Sequence, residues 1–155
     1  MTHLRREYRV AEFDDAHAFT ELCEKFQAES YQRFADFDFV KMHHWVVARI
    51  ESGDSEVFSC WQDGELIGGL IGMLHYYPYS NTLVAGDYMW YVVPEHRGGM
   101  VGVRLMRMFE DWALSCGAVH ISTGATSGIN NERGARLLER LGYRAVGTIM
   151  QKGGL

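Results

Sequence analysis

The chain has 155 residues, of which 47% are hydrophobic, so it is long enough to bury the core of one domain. Its net charge of -5 argues against a general binder of nucleic acid or of anionic membranes. The three cysteines form no C-x-x-C pair, and no apolar stretch is long enough to span a membrane. We therefore expect a soluble, cytoplasmic protein with reduced cysteines, folded as one domain over residues 1–155, that binds no metal.

Periodicity in the first half of the chain predicts one strand, two helices and then a run of three strands. Asp14 or Asp15 is the expected N-cap of the first helix, and Asp38 is the expected N-cap of the second. The elements are a strand over residues 8–13, helices over 15–30 and about 39–50, and strands over 57–62, 66–77 and 82–93.

The second half predicts alternating helices and strands. Its elements are a strongly amphipathic helix over residues 101–116, a strand over 118–123, a helix over 131–141 and a last strand over 143–151. An antiparallel run followed by helical crossovers predicts an α+β or mixed α/β sheet with helices on its faces.

The segment 92–104 joins the third long strand to the amphipathic helix and contains Gly98, Gly99 and Gly102. Unpaired N–H groups and the helix dipole favour an anion at such a junction, and glycines allow it to approach the backbone closely. Residues 96–109 carry three arginines and no acid. The alternative is an ordinary turn followed by a solvated helix face. The segment matches neither an ATP-binding P-loop nor a G-x-G-x-x-G dinucleotide loop.

At these residues the chain resembles the GNAT family of N-acetyltransferases, whose signature is Q/R-x-x-G-x-G/A after a strand that ends in V-x-P. The match begins at Val92 and Pro94 and runs from Arg97 to Gly102, with Met100 in place of the first signature glycine. A second family segment, N-x-x-A-x-x-x-Y-x-x-x-G-F, is echoed over residues 131–143. There Asn131, Leu141 and Gly142 fit the wider family pattern, whereas Gly134 and Leu138 depart from it.

The resemblance implies a GNAT-like fold, with a mostly antiparallel central sheet, a splayed pair of parallel strands, and helices on both faces. It also implies acetyl-CoA as co-substrate, with the pantetheine arm along the strand, the pyrophosphate at the loop, and an N–H of Val92 or Val93 stabilising the oxyanion. The cofactor-binding residues would be Val92, Val93, Arg97, Gly98, Gly99, Met100, Val101, Gly102, Val103 and Asn131.

Direct transfer also needs a base for the ammonium substrate and an acid for the departing thiolate. The family's usual tyrosine acid is replaced by Leu138. Strict alternation places Tyr88, Trp90 and Val92 on one face of their strand and Asp87, Met89, Tyr91 and Val93 on the other. The catalytic candidates are Tyr88 and Tyr91 as acids and Asp87 and Glu29 as bases; the alternatives are ordinary sheet packing and solvated carboxylates.

The acceptor pocket is expected between the first two helices and the strands, with Tyr31, Phe34, Asp36 and Tyr76 among its lining residues. Rings and carboxylates suit a cationic or aromatic amine, and equally a peptide N-terminus. The expected function is transfer of acetyl from acetyl-CoA to a primary amine, with a homodimer as a possible assembly. Two alternatives stay open: a non-catalytic acyl-CoA-binding or regulatory module, which Leu138 favours, and a structural protein without affinity for coenzyme A.

Overall fold

The computed structural model describes residues 5–154. Its regular elements are β1 (Arg6–Val10), α1 (Ala16–Glu29), α2 (Phe39–Glu51), β2 (Ser55–Gln62), β3 (Glu65–Tyr76), β4 (Leu83–Val92), α3 (Val101–Ser115), β5 (Ile121–Ser122) and α4 (Asn131–Arg140). All four predicted helices and the first four predicted strands are present, with bounds within three residues of those expected. None of the helices described is both long enough and apolar enough to cross a membrane.

The five strands form one mixed sheet in the order β1-β2-β3-β4-β5. The first four strands are antiparallel neighbours, whereas β5 lies parallel to β4. This arrangement confirms the predicted mixed α/β fold. Parallel neighbours need a crossover connection, and the long helix α3 provides it between β4 and β5.

Glycines in β3 allow helices to pack closely on both faces of the sheet. A Cβ atom at Gly69 would lie 2.6 Å from the ring of Phe19 in α1, and one at Gly72 would lie 2.6 Å from the ring of Phe109 in α3. Residues 69 and 72 point to opposite faces because side chains alternate along a strand. Helix α1 therefore covers one face and α3 the other, as the family resemblance implied.

The two predicted helix caps have different outcomes. Asp38 caps α2 as expected, because its carboxylate accepts a hydrogen bond from the N–H of Lys41 at 3.0 Å. Asp15 precedes α1 but makes no capping bond to it. Its carboxylate instead accepts from the Arg9 guanidinium and from the N–H of Glu12, at 2.9 and 2.7 Å. An available cation on β1 has redirected this side chain.

A β-bulge corrects the prediction that the residues of β4 alternate strictly between the two faces. Gly72 of β3 pairs with Asp87 and Ile71 pairs with Met89, which leaves Tyr88 as an extra residue. Asp87 therefore lies on the α3 face, although alternation grouped it with Tyr91. Tyr88 packs on the opposite face, against Trp45 of α2 at 4.6 Å between ring centroids.

The two strands predicted near the C-terminus are the other departure. Strand β5 has two residues instead of six, and residues 143–151 form no strand. A strand needs a partner for its backbone groups, and the described chain pairs nothing with the outer edge of β5. A cavity of about 860 Å³ lies between β5, α3, α4 and this C-terminal segment.

Candidate active site

The parallel strands β4 and β5 separate immediately after two residue pairs. Residues 85–86 of β4 pair with residues 121–122 of β5. Asp87 and Thr123 are therefore the first residues beyond the last pair. From Asp87 to the C-terminal end of β4 the described chain shows no further pairing with β5, and we call this unpaired stretch between the two strands the gap.

The end of β4 directs one backbone N–H into this gap. The N–H of Val93 donates to the carbonyl oxygen of Ile67 in β3 at 3.0 Å. Because successive N–H groups of a strand point to opposite sides, the N–H of Val92 is directed away from β3. Of the two valines predicted to bind the pantetheine arm, Val92 thus has its N–H on the open side, whereas the N–H of Val93 is paired within the sheet.

The glycine loop, which contains Gly98, Gly99 and Gly102, is constrained by its backbone geometry and by a hydrogen bond. Gly98 has a φ of 89°, in the left-handed region that favours glycine. Met100 is the N-cap residue of α3 and is exposed. Within the first turn, the carbonyl of Gly102 accepts a hydrogen bond from the indole N–H of Trp90 at 3.0 Å. The side chain of Val101 is buried in the core, so only its backbone is available to a ligand.

Arginines from three elements surround this loop. A Cβ atom at Gly98 would lie 3.2 Å from Nη2 of Arg133 in α4, and one at Gly99 would lie 3.9 Å from Nη1 of Arg6 in β1. Arg104, in α3, lies over the tyrosine ring of β1 at 4.2 Å. Among residues 5–154, none of these three arginines forms a salt bridge. Free N–H groups, a glycine cradle and unneutralised guanidinium groups fit a diphosphate.

Arg97, the first residue of the signature, is directed into the protein. Its Nε donates to the carbonyl of Val92 at 2.8 Å. Its two terminal nitrogens donate to the two carboxylate oxygens of Glu29, both at 2.6 Å. The guanidinium also lies 5.3 Å from the ring centroid of Tyr91. This bidentate pair joins the loop to the last residue of α1.

The same contacts decide the ionisation of Glu29 and Tyr91. The Arg97 guanidinium lowers the pKa of Glu29 despite its partial burial, and the hydroxyl of Tyr91 contributes by donating to Glu29 at 2.8 Å. Burial and the neighbouring Glu29 carboxylate raise the pKa of Tyr91. A carboxylate with a lowered pKa is a weaker base, so Glu29 is poorly suited to accept a proton.

The pKa of Asp87 is shifted in the opposite direction to that of Glu29. Burial raises its pKa from 3.8 to about 6, an effect partly offset by the nearby hydroxyl of Thr123. That hydroxyl is itself buried without a hydrogen bond of standard geometry among the described residues. A carboxyl group with a pKa near neutrality, at the closed end of a gap, has the properties of a general base.

The residues predicted around the acceptor are more scattered. Tyr31 lines a cavity of about 460 Å³, together with Asn131, which was predicted to bind the cofactor, the loop before α4 and part of the C-terminal segment. The same cavity is not lined by Phe34, Asp36 or Tyr76. Tyr76 lies at the far end of β3, where it pairs with Leu83.

Sequence analysis missed the approach of Arg6 and Arg133 to the glycine loop. Arg6 is remote in sequence from the loop and is brought beside it by strand pairing, so no local signal marked it. Arg133 had a usable signal, because it lies in the first turn of the helix that begins at Asn131.

In the part of the chain described, no three His, Cys, Asp or Glu side chains are placed to share a metal ion.

Known proteins provide an independent comparison. A ribosomal-protein-alanine N-acetyltransferase from Brucella melitensis biovar Abortus 2308 superposes with a TM-score of 0.70 at 19% identity, covering 96% of this chain and 100% of that one. A Trypanosoma brucei acetyltransferase gives 0.74 at 19%, covering 96% and 99%. An aminoglycoside N-acetyltransferase in complex with CoA gives 0.79 at 12%, covering 97% and 95%. No curated protein sequence matches significantly.

At these identities the structural neighbours establish the fold alone. The family model described as the acetyltransferase (GNAT) family matches residues 14–143, which include α1, the gap between β4 and β5, the glycine loop and α4. The chain therefore belongs to the GNAT family of acetyltransferases.

Proposed function

We propose that this chain is an N-acetyltransferase that transfers acetyl from acetyl-CoA directly to a primary amine. The observation that carries the proposal is the gap between β4 and β5, which has a glycine loop with nearby arginines at its open end and Asp87 at its closed end. Val92 lies five positions after Asp87, with four residues between them, a length of roughly 16 Å in an extended strand. Acetyl-CoA would supply the reactive thioester carbonyl, with its diphosphate at the loop.

In this proposal Asp87 accepts the proton of the attacking ammonium group through a chain of water molecules in the gap, because Asp87 lies too far along β4 from Val92 for direct transfer. A pKa of about 6 leaves the carboxyl mostly ionised at neutral pH while retaining basicity that an ordinary aspartate lacks. The N–H of Val92 is the donor available for negative charge that develops on the acetyl oxygen. Both groups belong to β4, so the sheet itself fixes their separation.

The reaction depends less on a general acid for the departing thiolate than on a general base for the amine. Leu138 is buried and has no proton to donate. The Tyr91 hydroxyl already donates to Glu29, which makes the exposed Tyr88 the better tyrosine candidate. An ordinary thiol has a pKa only about one to two units above neutrality, so its thiolate leaves acceptably without assistance.

The acceptor is proposed to be a small-molecule or peptide amine. Among the structural neighbours, one is named for acetylating a ribosomal-protein alanine and another for aminoglycosides, so the same fold serves both classes. The second candidate function is a non-catalytic acyl-CoA-binding module, which the loss of the family tyrosine at Leu138 favours.

Substitution at Met100 tests the proposal without damaging the fold. Met100→Glu adds an anion at the N-terminus of α3, which stabilises a helix but repels a diphosphate. Acetyl-CoA at a hundredfold excess over its Kd should stabilise the wild type by about 2.7 kcal/mol in thermal unfolding. We expect this gain to be lost in Met100→Glu and kept in the neutral control Met100→Gln.

Release of free thiol from acetyl-CoA with a panel of amines then separates the two functions. Turnover with at least one amine supports the transferase, whereas binding without turnover supports the non-catalytic module. An equal gain in stability for wild type and Met100→Glu would show that the loop is not the cofactor site.

A further inference from the structure

Protein acceptors already bind most of the N–H donors of the Arg97 side chain. Three of its N–H donors are already used by Val92 and Glu29, at 2.6 to 2.8 Å. Its side chain is about one quarter exposed, at 27%. By contrast, Arg6 and Arg133 lie beside the glycines without carboxylate partners in the described chain. The arginine in the signature is thus the one best satisfied by the protein itself.

Glu29 is also an unexpected residue at its position. It is the last residue of α1, where the negative end of the helix dipole disfavours a carboxylate. The cost is offset by the bidentate contact with Arg97 and by the Tyr91 hydroxyl. The carboxylate therefore contributes by joining α1 to the end of β4 rather than by stabilising its own helix.

The chain that follows Glu29 crosses to the other side of the gap. The N–H of Tyr31 donates to the carbonyl of Ser127 at 2.8 Å. Ser127 lies in the loop between β5 and α4. Residues 29–31 are consequently held to β4 at one end, by Arg97, and to the β5 side at the other.

We propose that Arg97 and Glu29 form a positioning pair, which couples the coenzyme A loop to the start of the α1–α2 connection on the acceptor side, and that Arg97 is not itself a phosphate ligand. The inference rests on the proposed use of acetyl-CoA. Fixing the carbonyl of Val92 and the loop together keeps the backbone of β4 aligned with the pantetheine arm. The same contact places residues 29–31 across the gap.

Removing the carboxylate distinguishes a positioning pair from a phosphate ligand. In a positioning pair, Glu29→Gln and Arg97→Gln each raise the Kd for acetyl-CoA, by roughly tenfold, through loss of the same charge-assisted contacts. The double variant should be no worse than either single variant, since both changes break one interaction. If Arg97 binds phosphate, Glu29→Gln instead frees it, and acetyl-CoA binds as tightly as before or more tightly.

The experiment measures the acetyl-CoA Kd by titration calorimetry for wild type, both single variants, the double variant and Glu24→Gln. Glu24 is an exposed carboxylate on α1, so its change controls for the loss of one negative charge. Arg97→Lys adds a conservative test, because it keeps the charge but cannot form the bidentate contact. We expect it to bind like Arg97→Gln.

Thermal unfolding without ligand completes the test. Non-additive losses in both stability and affinity support the positioning pair. Non-additive stability with unchanged affinity would overturn it, because the pair would then serve the fold alone. Failure of wild type to bind acetyl-CoA would overturn the proposed function, and the positioning role with it. Unchanged affinity in Glu29→Gln, in a wild type that binds, would overturn the positioning role only.

Discussion

The junction of β4 with α3 and the segment after α4 are held very differently. At the junction, Val93, Trp90 and Arg97 each make hydrogen bonds to another element, and the glycine loop is fixed between them. In residues 143–151 no strand forms, and Val146 and Met150 are 84% and 86% exposed. Both segments were assigned from good local patterns. A pattern therefore becomes structure only where the surrounding chain supplies partners for its backbone and its apolar side chains.

Asp87→Asn should give the largest effect at the well-held junction. Loss of a general base is expected to lower kcat by about 10²–10⁴-fold. In the wild type, kcat/KM should rise with pH and level off above an apparent pKa of about 6, and the variant should lack this limb. Steady-state rates from pH 5 to pH 9 provide the measurement, with the exposed Asp111→Asn as the control for charge.

The same substitution, Asp87→Asn, should lower kcat but raise the free energy of unfolding at neutral pH. The folded state raises the pKa of Asp87, so its ionised form is the unfavourable one, and the Asp87→Asn variant should be more stable than the wild type at pH 7. As pH falls from about 6 towards 3.8, the folded wild type binds its proton before the unfolded chain does, and the difference should narrow. Urea unfolding of both proteins at several pH values measures it. A variant that is both slower and less stable at pH 7 would contradict this account.

Truncation of Phe109 tests whether the α3 face of the sheet is packed more tightly than the C-terminal segment. Its ring is fully buried in α3 and lies against Gly72. Phe109→Ala should lower the free energy of unfolding by about 3–5 kcal/mol, through lost burial and the cavity left behind. Urea unfolding measures the change. A loss below about 1 kcal/mol would mean that this side of the sheet is no better packed than the C-terminal segment.

Val146→Ser should have the smallest effect. This side chain is exposed, so the free energy of unfolding should change by less than about 0.5 kcal/mol. Backbone amides of residues 144–151 should also exchange with solvent much faster than those of β3. Slow exchange there, or a large loss of stability, would show that this segment pairs with another strand in solution and would remove the contrast between the two regions.

Sequence patterns predicted the elements that depend on local signals. The cap at Asp38, the stripe of α3 and the glycines of the loop each act within a few residues, so the chain itself specifies them. The bulge at Tyr88 could not be predicted, because it is a mismatch between two strands rather than a property of one. For the same reason, the arrangement of Glu29 with Arg97 and the approach of Arg6 to the loop needed the folded chain.

The extra residue in β4 has a consequence for how this strand tolerates changes of length. Tyr88 can be deleted with Asp87 and Met89 kept opposite their present partners in β3, so every remaining side chain would stay on its own face. A deletion at Trp90 would instead turn part of the strand over and expose core residues. A residue can therefore be added or removed at position 88 while the side chains packed under both helical layers keep their places.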